Sequence, residues 1–163
     1  MIIEEKGYTK DGLPYLIAIM ENLGTRNGYV GVYEDSILYK IGYDDPIHKD
    51  PYSSVAANVA VHGGLTYSGF LGQQILGAQN PYFFGFDCAH LGDSKISISE
   101  MQYLVDTFMI SKSYSEKKQI INRYTQLYNL IPSDPEDIDR TLDYVREQCF
   151  QLSTQLIKIE KEE

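Results

Sequence analysis

The stretch Gly12-Leu13-Pro14-Tyr15-Leu16-Ile17-Ala18-Ile19-Met20, read with Gly28-Tyr29-Val30-Gly31-Val32-Tyr33 beyond it, decides the fold. The first run is almost continuously apolar and follows a Gly-Leu-Pro break, which suits a strand buried on both faces. Residues 22 to 27 are turn formers, and Asn27-Gly28 suits a tight turn with positive φ. The second run then reads as a neighbouring strand. Further on, Tyr82-Phe83-Phe84-Gly85-Phe86 is strongly aromatic and reads as a third buried strand. Residues 54 to 61 are β-compatible and lead straight into His62-Gly63-Gly64. Residues 34 to 53 and 71 to 80 read as irregular connections, with His48 as an ordinary loop residue.

Beyond residue 95 the periodicity changes to that of helices. Ser97 or Ser99 can cap a helix carrying Met101, Leu104, Val105 and Phe108 on one face. Ser113 or Ser115 can cap the next, with Ile120, Ile121, Tyr124, Leu127 and Tyr128. Pro132-Ser133-Asp134-Pro135 followed by acids predicts a last helix from about Pro135 to about Ile159. Its apolar residues Ile138, Leu142, Val145, Cys149, Leu152, Leu156 and Ile159 step by four and three. Such a stripe suits packing on the domain's own sheet, or a homo-oligomer seam. The expectation is one α+β domain over residues 1–163, strand- and loop-rich to residue 95 and helical from 96. Its sheet is small and mostly antiparallel, with C-terminal helices packed against it.

The formal net charge is −9, with 14 tyrosines and no tryptophan. Phosphate backbones and anionic lipid attract basic surfaces, so the charge argues against non-specific nucleic-acid or membrane binding. It leaves room for a small phosphate-bearing ligand, which needs only local N–H groups and one or two cations. Two cysteines are too few for a disulfide framework. With no signal peptide and no apolar run near membrane-spanning length, the expected location is cytoplasmic.

Chemistry concentrates in residues 62–93. His62-Gly63-Gly64-Leu65-Thr66-Tyr67-Ser68-Gly69 opens that stretch and Gly85-Phe86-Asp87-Cys88-Ala89-His90-Leu91-Gly92-Asp93 closes it. Imidazole is the side chain suited by its natural range to move protons near neutrality, and a carboxylate can orient it, so His62, His90, Asp87 and Asp93 are the candidate catalytic residues. Gly63 and Gly64 offer N–H groups, Thr66, Tyr67 and Ser68 offer hydroxyls, and Arg26 offers a cation for ligand binding. Cys88 is a candidate nucleophile if an imidazole activates it, or else a small buried hydrophobe. The His, Cys and Asp side chains make Zn²⁺ a candidate cofactor, although no metal-binding signature is matched. The bland alternative is a buried polar network in which the histidines and acids lock two strand ends together.

The pair HGGLTYSG and FGFDCAHLGD resembles a family of small proteins encoded by tailed phages and prophages. Leu23 to Val32, an acidic Pro-containing connection before HGG, and the Leu142–Cys149 helix ending in Gln155-Leu156 are similar to it too. Tyr82 and Phe83 stand where members often carry Trp, and the region 110–130 is longer than usual. The resemblance implies a phage accessory protein that acts on host physiology or host defence. Two functions fit. In one, the protein binds, and in a stronger form cleaves, a nucleotide-derived ligand such as a host immune signal. In the other, an acidic inhibitor binds and blocks a host defence protein. A metal-dependent hydrolase is a lesser third.

Overall fold

The structure is a computed structural model and describes residues 1–47, 50, 52–72 and 79–162. His48 and most of the 71–80 connection lie outside these residues. The described elements are β1 (Ile2–Tyr8), β2 (Pro14–Met20), β3 (Thr25–Val32), α1 (Val55–Asn58), β4 (Tyr67–Phe70), β5 (Tyr82–Asp87), α2 (Ile98–Phe108), α3 (Tyr114–Leu130) and α4 (Leu142–Lys161). The strands form one antiparallel sheet in the order β1-β2-β3-β5-β4. The α+β expectation holds, with α4 against β2 and β3 and α2 against β1.

Glycines opposite aromatics set the register of β3 and β5. Gly28 lies across from Phe86, Gly31 across from Phe83, and Gly85 across from Tyr29. A Cβ on Gly28 would stand 2.4 Å from Phe86 Cζ and 2.8 Å from Cys149 Sγ, so the missing side chain admits both the ring and α4. On the other face, the Tyr29 ring lies over Gly85 and meets Tyr67 edge-on at 5.6 Å. Large and small residues thus interdigitate across the pair, which resists a slip of register.

β1 is a strand that sequence pattern does not announce, because Glu4 and Glu5 break its alternation. A bulge between Ile3 and Glu5 turns both acids towards the helices. There Arg26 pairs with Glu4 at 2.7 Å, and Arg146 pairs with Glu5. Arg26 also meets Glu100 of α2 at 2.9 Å. Its side chain is only 3% exposed, so it is a buried staple within β3 and not a turn residue. Gly28 likewise sits inside β3, and the hairpin turn falls at Glu21 to Gly24, where Gly24 has φ +70°.

Two further expectations are corrected. Residues 54–61 form the short helix α1 and an irregular run instead of a strand. The last helix starts at Leu142, capped by Thr141, and not near Pro135. Asp134 caps only a turn, in which its side chain accepts from the Glu136 N–H at 2.9 Å. Ile138 then bridges in parallel to Asp93: its N–H donates to Gly92 O and its carbonyl accepts from Ser94 N. That pairing holds Ile138 in a bridge instead of a helix, so tertiary structure overrides the local helix signal.

The helix caps behave as expected elsewhere. Ser97 caps α2, and Ser113 caps α3 through a reciprocal capping box with Glu116. Val145, Cys149, Leu152 and Leu156 of α4 are buried against Ile17, Val30, Phe84 and Phe86. The α4 stripe is therefore consumed within the chain, while Ile138 lies outside the helix and is exposed.

Candidate functional site

The site forms where the β5 end and the HGG turn meet the start of α4. Two glutamines of α4 hold the approach to His62. Gln155 brackets Ala60, accepting from its N–H at 2.6 Å and donating to its carbonyl at 2.9 Å. Gln148 accepts from the His62 N–H at 2.8 Å. The chain then reverses through Gly63 and Gly64, at φ +68° and +83°. Both angles favour glycine, and Gly63 has a second constraint. A Cβ there would stand 1.9 Å from His90 Nε2, so the His90 ring seats directly on this residue.

Asp93 is the hub and is 1% exposed. Its Oδ1 accepts from Arg140 Nε at 2.7 Å. Its Oδ2 meets His62 Nε2 at 2.8 Å and accepts from the His90 N–H at 3.0 Å. Burial alone would raise this carboxyl, but hydrogen bonds from His62, Arg140 and the His90 backbone outweigh it and hold the group below the ordinary carboxylate range. An ionised Asp93 places the imidazole proton on His62 Nε2. His62 Nδ1 is then free to accept from the Tyr144 hydroxyl at 2.8 Å. The result is a relay from a buried carboxylate, through an imidazole, to a half-buried phenol. Arg140 lies over the Tyr144 ring at 5.0 Å and completes it.

A second, more open group adjoins this relay. The His90 side chain is 37% exposed, and its ring centre is 5.6 Å from that of His62. Its Nε2 lies 3.4 Å from Asp87 Oδ1, near enough for an ion pair when the ring is protonated. The alignment does not make a hydrogen bond, and that nitrogen atom is buried without a partner. Asp87 accepts from the Thr66 hydroxyl at 3.0 Å and from the Ala89 N–H at 3.1 Å.

The structure therefore brings together His62, His90, Asp87, Asp93, Gly63 and Thr66. Gly64 completes the same turn, and Cys88 lines a cavity with His90 and Asp93, but Ser68, Tyr67 and Arg26 are directed elsewhere. Ser68 turns towards the helix side and accepts from the Tyr43 N–H, while Tyr67 faces away from α4 and donates to Phe70 O. Arg26 is occupied by Glu4, Glu100 and the Arg140 carbonyl. Cys88 is 3% exposed, and burial, aided by the charge of Asp93, pushes its thiol up to about 12. A buried thiol raised in this way favours the packing reading of Cys88 over the nucleophile reading.

Zn²⁺ does not fit these groups. Both Asp93 oxygens accept from cationic or N–H donors, and Arg140 would repel a second cation beside them. Among the described residues, no group of three or more His, Cys, Asp and Glu side chains could hold a metal ion. Nor is any described helix long and apolar enough to cross a membrane.

Arg140, Tyr144, Gln148 and Gln155 are functional neighbours that motif reading missed. Spacing marks only the two glutamines, which stand seven apart along one face of α4, whereas Arg140 lies ahead of the Thr141 cap and reaches Tyr144 through the folded backbone. Comparison with family models, curated proteins and solved structures yields no match for this chain.

Proposed function

We propose that this chain is a phage-encoded accessory protein that binds a small, phosphate-bearing, nucleotide-derived ligand. The contact surface is formed by Gly63, Gly64, His90, Arg140 and Tyr144. One observation carries the reading. Arg140 is fixed through Nε on Asp93 and by stacking on Tyr144, yet its two Nη groups have no hydrogen-bond partner among the described residues. A pre-oriented guanidinium with a free end, beside a partly exposed imidazole and a glycine turn, suits a phosphate oxygen pair. Arg140 thus takes the role that sequence reading gave to Arg26. The His62 relay holds the Tyr144 hydroxyl with its proton directed to His62 Nδ1, which leaves that oxygen as an acceptor for a ligand, and His90 supplies the proton for any cleavage step.

The test is calorimetric titration with a panel of linear and cyclic nucleotides. Micromolar binding by the native chain, weakened tenfold or more in His90→Ala, supports the reading. Ligand recovered intact after heat denaturation separates binding from cleavage. If no member of the panel binds, and native mass spectrometry of protein from infected cells shows no bound small molecule, the reading is wrong.

A second reading, an inhibitor that covers a host defence protein, has its own observation. Leu91 is fully exposed and Ile138 half exposed, on neighbouring bridged segments flanked by Asp134, Glu136, Asp137 and Asp139. An apolar knob inside an acidic fringe is an interface composition. It predicts that Leu91→Asp with Ile138→Asp abolishes the biological effect while His90→Ala leaves it intact.

A further inference from the structure

We propose that the cavity beside His90 is a base subsite, which takes the planar heterocycle of a nucleotide whose phosphate sits on Arg140 and the glycine turn. This inference rests on the phosphate-site reading above and extends it to the other end of the ligand.

The cavity holds about 180 Å³ and is walled by three separate pieces of chain. Leu23 and Thr25 come from the β2–β3 turn and the start of β3. Residues of the 88–95 segment follow β5, and Ile131 is the C-cap of α3. The size selects one ring system. Drug-sized ligands fill pockets of roughly 300–1,000 Å³, whereas benzene fills an engineered cavity of about 150 Å³.

The walls divide by chemistry. Leu23 and Ile131 are 52% and 46% exposed at the mouth, apolar groups that stay open to water until a flat face covers them. Thr25, Cys88 and Asp93 are buried and form the floor. Burial keeps the Cys88 thiol protonated, so it offers a weak donor. Lys95 Nζ donates to the Tyr128 and Ile131 carbonyls. An ammonium carries three protons, so one is left for an acceptor on a ligand. A hydrocarbon would strand these polar groups. A heterocycle with ring nitrogens and carbonyl oxygens pairs with them and still presents an apolar face to Leu23 and Ile131.

Continuity decides which ligand the ring belongs to. His90 and Asp93 wall the cavity and also belong to the phosphate site. Asp93 Oδ1 holds Arg140 Nε at 2.7 Å, and its Oδ2 holds the His90 N–H at 3.0 Å. The His90 ring in turn seats on Gly63. His90 thus stands between the two subsites, where the sugar of a nucleotide crosses from base to phosphate.

Calorimetric titration of the full chain, up to millimolar ligand, tests the proposal. The probes are the four common nucleoside monophosphates, the matching nucleosides, and ribose phosphate, which keeps sugar and phosphate without a base. At least one nucleotide should bind tenfold or more tighter than ribose phosphate. Leu23→Asp and Ile131→Asp each set a charge at the apolar mouth. Each should weaken that nucleotide to the level of ribose phosphate and leave ribose phosphate binding unchanged. The two side chains are exposed and lie on different segments, so if one variant proves unstable by thermal melting the other still reports. Nucleosides that bind while ribose phosphate does not would support the base subsite and overturn the phosphate reading alone. Equal affinity for nucleotides and ribose phosphate overturns the base subsite and leaves the phosphate reading standing. A nucleotide preference that survives both substitutions also overturns the base subsite, and no binding by any probe overturns both.

Discussion

Replacing Asp93 by Asn tests whether one buried carboxylate organises the site. The substitution preserves shape and removes the charge that Arg140, His62 and the His90 N–H all share. A hydrogen bond to a charged group contributes about 1.5–3 kcal/mol. Removing one partner from a buried ion pair costs about 3–5 kcal/mol. Asn keeps one carbonyl acceptor but turns an NH₂ group towards a donor, so the lower end applies and the loss should be about 3 kcal/mol. For a chain of this size that lowers Tm by about 6–12 °C. Urea unfolding followed by far-UV circular dichroism at pH 7 measures it directly. The folded-state pKa of Asp93 lies below the unfolded value near 3.8, so its contribution is complete above that value. It fades as pH falls through the folded value. The gap between native and Asp93→Asn proteins should therefore be constant near pH 6–7 and shrink below about pH 4. A loss under about 1 kcal/mol at pH 7, or a gap that widens in acid, would refute the hub.

Four further outcomes follow from particular contacts. Gly63→Ala should cost at least twice what Gly64→Ala costs in urea unfolding. Both substitutions pay about 1–2 kcal/mol for left-handed backbone, but only the Gly63 Cβ meets the His90 ring. Gly28→Ala should lose about 3 kcal/mol through overpacking against Phe86 and Cys149, again read by urea unfolding. Both thiols should resist a disulfide reagent at pH 7.5 until the chain unfolds, since both are buried with raised pKa values. The Cys88 thiol is raised from 9.0 to about 12, so its contribution to stability is present below 9 and is lost as pH rises towards 12. Urea midpoints taken across that range check the slope.

Several elements were legible because local signals agreed with tertiary need. The apolar run of β2, the aromatic run of β5, and the serine caps of α2 and α3 all lie where composition puts them. The HGG and FDCAHLGD segments do converge, because β3 and β4 flank β5 and bring both loops to one end of the sheet. Other elements were illegible for a shared reason. β1 exists because Arg26 and Arg146, distant in sequence, neutralise Glu4 and Glu5. The delayed start of α4 depends on Ile138 finding the backbone of residues 92–94.

The amino-acid order alone determined the elements whose stabilising contacts lie within a few residues: apolar runs, capping serines and glycine turns. It also determined that imidazoles and acids would be plentiful near one another. Only the folded chain decided which of them are partnered. Asp93 became the sealed hub because Arg140 arrives from 47 residues away, and Arg26 was withdrawn from any ligand by Glu4 and Glu100. The strength of a charge depends on its burial and its neighbours, and both are properties of three-dimensional packing that residue spacing does not encode.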